Sequence, residues 1–210
     1  MTITIVIIIL TAIISISAFS NAKVIDDLIF YPPAITQRKQ WYRFITCGFI
    51  HADWAHLIFN MLSLYFFGQA VEYYYKAYDL MGKTAYILLY VSALVVSLLP
   101  TYFKHRDNYY YRSLGASGAV SAVVTAAALF TPWSTVAIFG IIKLPYILYV
   151  VLFIGISAYM SKRGQDNINH DAHLWGAIYG LVFTVLLILA FRPGLIEPLL
   201  ENLMSPRFGR

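Results

Sequence analysis

The sequence predicts an all-α, polytopic membrane protein built as a bundle of six transmembrane helices. Three observations carry that expectation. The 210 residues are 60% hydrophobic and only 12% charged, whereas soluble domains are about half apolar and about a quarter charged. Their mean hydropathy is +0.69. Six windows approach or reach the ~20 mostly apolar residues that a spanning helix needs. The same apolar content excludes disorder. The length allows a single transmembrane domain over 1–210, with no room for a large extramembrane domain.

The windows follow in order. The first, 3–19, sits where a signal peptide would, but it lacks a positively charged start, and Lys23 comes only after the apolar run. It is expected to be a retained helix. The others are 54–73, 85–103, 114–130, 144–160 and 172–191. Residues 20–53 form the longest connection, with Tyr31-Pro32-Pro33 at its centre. Its stretch Trp41–Ile50 mixes aromatic, basic and apolar side chains, which suits a segment lying in the membrane interface. Residues 104–113 and 161–171 read as short polar loops. Pro132-Trp133 breaks the chain after the fourth helix, and Lys143 marks a membrane edge before Pro145. The brief N-terminal segment without transit-peptide character points to a prokaryotic plasma membrane.

The formal net charge is +5. In a membrane protein such an excess belongs in loops beside lipid headgroups. No basic block suggests nucleic acid, so lipids and other membrane proteins are the expected partners. Cys47 is the single cysteine, so no intramolecular disulfide can form, and it is expected to be a small apolar filler. With the N-terminus inside, the outer loops carry Lys23, Arg38, Lys39, Arg43, Lys104, Arg106, Arg112, Lys162 and Arg163, nine in all; the inner side carries Lys76, Lys83, Lys143, Arg192, Arg207 and Arg210, six in all. The positive-inside rule favours the reverse orientation.

Polar groups inside a bilayer are costly, and three clusters need a reason. His56 and Asn60 are four apart and share one face of the second helix, following His51. Gly115-Ala116-Ser117-Gly118 opens the fourth helix, where Gly118, Ala122 and Ala126 make a smooth face and Gly115 is expected to join the helix packing at the site. His173 heads the sixth helix, where Gly176 and Gly180 form a Gly-x-x-x-Gly face. Taken singly, these are interhelical hydrogen bonds and close helix packing. Taken together, they converge, because the second, fourth and sixth helices run in one direction. Ser117 and His173 then differ in depth by about 3 Å, with His56 and Asn60 at the same level.

That coincidence points to acyl-transfer chemistry. A serine hydroxyl needs an adjacent base to act as a nucleophile, and a histidine titrates in the right range. His56, Asn60 and the Ser117 backbone N–H can receive a developing oxyanion. Asp171 stands two residues before His173 and so faces elsewhere on a helix, which favours a Ser–His dyad without a third acid. No metal or other cofactor is expected, since no H-E-x-x-H occurs.

These residues resemble the rhomboid family of intramembrane serine proteases. The likeness rests on G-A-S-G at 115–118, H-L-I-F-N at 56–60, His51 five residues earlier, and A-H-L-W-G-A-I-Y-G at 172–180, in that order over about two thirds of the chain. The resemblance implies Ser117 as nucleophile, His173 as base, and His56 and Asn60 as oxyanion or support residues. It implies both termini in the cytoplasm, a site opening outward, and a first loop embedded in the membrane. The implied substrates are single-span membrane proteins, cut near the outer edge of the helix. Several positions depart from the family pattern. The first loop has Trp41-Tyr42-Arg43 in place of adjacent Trp-Arg. Ser121 stands where many members carry an aromatic that packs on the histidine. Trp175 replaces a frequent glycine. Glu72 matches a frequent acid and is expected to cap the inner end. Two other classes compete: a binding-only relative of the same fold, which would lack the serine or the histidine, and a small transporter, which would spread polar residues along several helices.

Overall fold

The computed structural model describes residues 2–138, 141–163 and 168–206. Helix α1 (Ile3–Phe19) leads into a connection of three short helices, α2 (Ala22–Leu28), α3 (Pro32–Arg38) and α4 (Arg43–Thr46), and a 3-10 turn at Cys47–Phe49. Asp53 caps α5 (Trp54–Ser63) by accepting from the His56 N–H. The helix continues through a π turn, Leu64–Gly68, into α6 (Gln69–Ala77). Helices α7 (Gly82–Val96) and α8 (Leu99–His105) form one rod, interrupted at Ser97-Leu98 with Pro100 in the first turn of α8. Then come α9 (Ser117–Phe130), α10 (Tyr146–Arg163), α11 (His170–Phe191) and a C-terminal α12 (Ile196–Met204).

Four expectations are corrected here. The chain is mostly helical but not all-α. Thr135–Ile138 and Ile142–Pro145 pair antiparallel as β1 and β2, a hairpin between α9 and α10. This moves the start of the fifth helix from 144 to Tyr146. The fourth helix begins at Ser117 rather than 114, because Gly115 takes φ +112°, which no right-handed helix accommodates. The expected polar loop at 161–171 is shorter than anticipated: α10 runs on through Lys162 and Arg163, and α11 starts at His170. Residues 164–167 lie outside the described residues.

Three helical stretches are long and apolar enough to cross a membrane: Gly82–His105, Tyr146–Arg163 and His170–Phe191. Ile3–Phe19 and Ser117–Phe130 are apolar but shorter. The 14 residues of α9 rise about 21 Å, less than the ~30 Å hydrocarbon core. Their small side chains make sense from position, since α9 is the central helix and is buried along nearly its whole length.

The tightest seam joins α9 to α11. A Cβ on Gly176 would lie 2.1 Å from the Gly118 carbonyl oxygen, and one on Gly180 would lie 2.1 Å from that of Ala122. The two backbones therefore touch one turn apart, in parallel. Close approach of backbones is how helices associate where no hydrophobic drive separates lipid from protein. The Thr125 hydroxyl donates across this seam to the Ala177 carbonyl at 2.8 Å. Trp175 does not widen the seam, because it points outward and is 44% exposed. Elsewhere, Tyr75 meets Thr184 at 2.7 Å and Tyr146 donates to the Val124 carbonyl at 2.6 Å. At the far end of the bundle, Glu72 caps α1. Its carboxylate accepts from the Ile3 N–H (2.9 Å), the Thr4 N–H (2.8 Å) and the Thr4 hydroxyl (2.6 Å). These are orphan donors at a helix N-terminus, where negative charge is favoured.

Candidate active site

The loop before α9 is pinned from three directions. Ser113 and Phe30 exchange backbone hydrogen bonds at 3.0 and 3.1 Å. The Gly115 N–H donates to the Cys47 carbonyl at 2.9 Å. The Ala116 N–H donates to Nε2 of His51 at 3.5 Å. The connection 20–53 thus holds the head of α9. That connection is itself fastened by buried Arg43, which donates to the Asp26 and Ile29 carbonyls and to Gln40.

His51 is a structural hinge pin that its place in the motif did not disclose. Since Nε2 accepts from Ala116, the ring proton sits on Nδ1 and is donated to Ser15 of α1 at 2.9 Å. Ser15 in turn donates to the Phe49 carbonyl at 3.1 Å. This chain needs a neutral imidazole. Burial, and next the adjacent His56, hold the His51 pKa down to about 3. Cys47, fully buried in the 3-10 turn, has its thiol pushed up to about 12 by burial. It fills space and is chemically quiet.

The turn at Gly115 also makes room for His56. A Cβ there would lie 2.8 Å from His56 Nε2. Gly115 is therefore not a helix-packing residue, as expected from sequence, but a backbone surface against which the imidazole rests. His56 Nδ1 accepts from the Ala52 N–H at 3.5 Å, which leaves the proton on Nε2, the nitrogen beside Gly115. Asn60, one turn on and buried, donates one amide N–H to the His56 carbonyl at 2.9 Å. The two rings, His51 and His56, meet edge to face at 4.9 Å.

Ser117 is the first residue of α9, so its N–H lies among the orphan donors of that helix. Gly118 is the packing residue at its back, against Gly176 and against Ser97, whose Oγ lies 2.3 Å from where a Cβ would be. Ser121 fills no aromatic role. Its hydroxyl donates to the Ser117 carbonyl at 2.7 Å. On the facing helix, Asn169 caps α11 by accepting from the Ala172 N–H at 3.0 Å. His173 stands one turn above Gly176. With Gly118 opposite Gly176, His173 lies about 3 Å above the level of Ser117, by helical rise. Its ring stacks on Phe153 of α10, centroids 5.9 Å apart at 28°. Asp171 faces Lys104 (3.2 Å) and the Ser161 hydroxyl.

Ser117, His173, His56 and Asn60 all line one cavity of about 720 Å³. A hydroxyl, two imidazoles, an amide and a free helix N-terminus thus border a shared space, which is the equipment of nucleophilic acyl transfer. Among the described residues, no group of three or more His, Cys, Asp or Glu side chains is arranged to hold a metal ion.

Sequence comparison identifies the family. Residues 38–190 match the model of the rhomboid domain. The chain is 31% identical over 142 residues to the mitochondrial RHOMBOID-like protein 12 of Arabidopsis thaliana, covering 63% of this chain and 42% of that protein. It is 32% identical over 157 residues to the chloroplastic Rhomboid-like protein 11 of the same plant, covering 70% and 52%. It is 29% identical over 148 residues to the rhomboid protease GluP of Bacillus subtilis, covering 70% and 26%. The chain therefore spans at most about half the length of these relatives. With the matched segment running from Arg38 at the end of α3 to Ala190 in α11 and including Ser117, His173, His56 and Asn60, the chain belongs to the rhomboid family of membrane proteins.

Proposed function

We propose that the protein is an intramembrane serine endopeptidase that works with a Ser117–His173 dyad. The observation that carries this reading is the α9–α11 seam. Backbone contact at Gly118–Gly176 and Ala122–Gly180 fixes Ser117 and His173 at adjacent levels on the wall of one cavity. His173 takes the Ser117 proton as the hydroxyl attacks a peptide carbonyl, and returns it to the leaving amine. The His56 Nε2–H, the Asn60 amide and the Ser117 N–H receive the oxyanion. His51 holds the loop that presents them.

The substrates of this reading are single-span membrane proteins, cut near the outer edge of the helix. The six-span count belongs to it as well: α1, the α5–α6 rod, the α7–α8 rod, α9, α10 and α11 each cross the bilayer, with α9 spanning only its interior. The termini then lie in the cytoplasm, and the site opens outward. Family resemblance carries that orientation and the Lys/Arg count opposes it. Several of the nine basic residues on the site's side are engaged: Lys23, Arg106, Arg112 and Lys104 with aspartates, Arg43 with loop carbonyls, and Arg163 over the Tyr159 ring.

The test is cleavage of a model single-span substrate in proteoliposomes by wild type, Ser117→Ala and His173→Ala, with and without chelator. Cleavage that vanishes in both variants and ignores chelator is expected. Cleavage that survives Ser117→Ala refutes the assignment.

A further inference from the structure

The helix that covers His173 is the least embedded of the long ones. Only 17% of the apolar window of α10 is buried, against 33% in α11 and 50% in the α7–α8 rod. Its buried residues, Tyr146, Val150 and Ser157, form one stripe, and half-buried Phe153 completes it. Tyr146 fastens the foot of this stripe to α9 through the Val124 carbonyl. Two turns higher, about 10 Å along the axis, Phe153 lies over the His173 ring at 5.9 Å and 28°. Tyr149 continues the stack behind it at 6.2 Å. A Cβ on Gly155 would meet nothing within 4 Å. On α9, the position one turn below Ser117 holds Ser121, whose hydroxyl is spent on the Ser117 carbonyl. Rings thus flank the base from two helices: His170 of its own helix meets it edge to face at 5.7 Å, and the ring stacked near-parallel on it comes from the loosely seated α10.

We propose that Phe153 is a positioning residue for His173, so that alignment of the base depends on the seating of α10. The inference rests on the reading of His173 as the base. An offset aromatic contact restricts the tilt of the imidazole, and small misplacements of a catalytic group carry large rate penalties. A side chain of similar volume without a ring fills the space but does not orient the plane.

The experiment compares wild type, Phe153→Leu, Phe153→Met, Phe153→Tyr, His173→Ala and the exposed α10 control Ile156→Ala, all in proteoliposomes. Two readouts are taken: the rate of Ser117 labelling by a fluorophosphonate, and kcat and KM on a single-span substrate. Phe153→Leu and Phe153→Met are expected to lower the labelling rate and kcat together by about tenfold with KM little changed. Phe153→Tyr, which keeps the ring, and Ile156→Ala are expected to match wild type. Phe153→Met has a flexible side chain that fills irregular gaps, so it reports even where Phe153→Leu fails to fold. Wild-type labelling in the Phe153 variants, with His173→Ala unlabelled, overturns the positioning role and leaves the dyad intact. A change in KM alone overturns it too. Wild-type labelling in His173→Ala overturns the dyad itself.

Discussion

The α9–α11 seam and α10 meet at the same histidine, yet they are built in opposite ways. In the seam, two glycines let backbones touch, and nearly every α9 residue is buried. In α10, three buried residues hold eighteen in place, and Gly155 faces open space. The contrast shows a division of labour: the seam fixes where Ser117 and His173 stand, while α10 supplies a loosely packed wall to the cavity they border.

The seam should be the easiest part to break. Gly176→Ala and Gly180→Ala each drive a Cβ into a backbone oxygen that cannot turn away, so each is expected to cost about 1–3 kcal/mol. Thermal unfolding in detergent reads that loss, and Gly176→Ala should also abolish cleavage. Gly155→Ala on α10 is the counterpart and should do the reverse. It meets no neighbour and removes a helix-interior glycine, for a gain of about 0.5–1 kcal/mol. An equal loss at both kinds of site would erase the distinction.

Two polar anchors sharpen the comparison at intermediate size. Glu72→Gln removes the charge from three hydrogen bonds at the head of α1, and a loss of about 1–3 kcal/mol is expected in the same melts. His51 predicts a pH dependence. Its pKa is about 3 when folded and near 6.5 when unfolded. Between those values the unfolded chain binds the extra proton, so stability is full above about pH 6.5 and falls as the pH drops toward 3. His51→Gln should flatten that part of the profile. A profile with the same slope in wild type and variant would show that His51 is not the group responsible.

Much of the site was legible because it follows helical spacing. Gly176 and Gly180, four apart, announce a contact face, and that face sets the levels of Ser117 and His173. His56 and Asn60 are read from the same period. What lies outside regular helices was not legible. The work of His51 depends on a carbonyl in the 3-10 turn, a serine on α1 and the N–H of Ala116, none of which any period connects. Gly115 looked like a packing glycine because its positive φ is invisible until the loop is fastened to Cys47. Phe153 sits in a segment rich in aromatics, where only the stack on His173 distinguishes it. The hairpin at 135–145 was missed because its strands are short and adjoin apolar helices.

The central claim is that the seam-held pair Ser117 and His173 is a working dyad. Fluorophosphonate labelling of Ser117 in folded wild type, His173→Ala and Ser117→Ala tests it most directly. The account predicts labelling in wild type alone. Labelling of His173→Ala at the wild-type rate, or of Ser117→Ala at all, would contradict it.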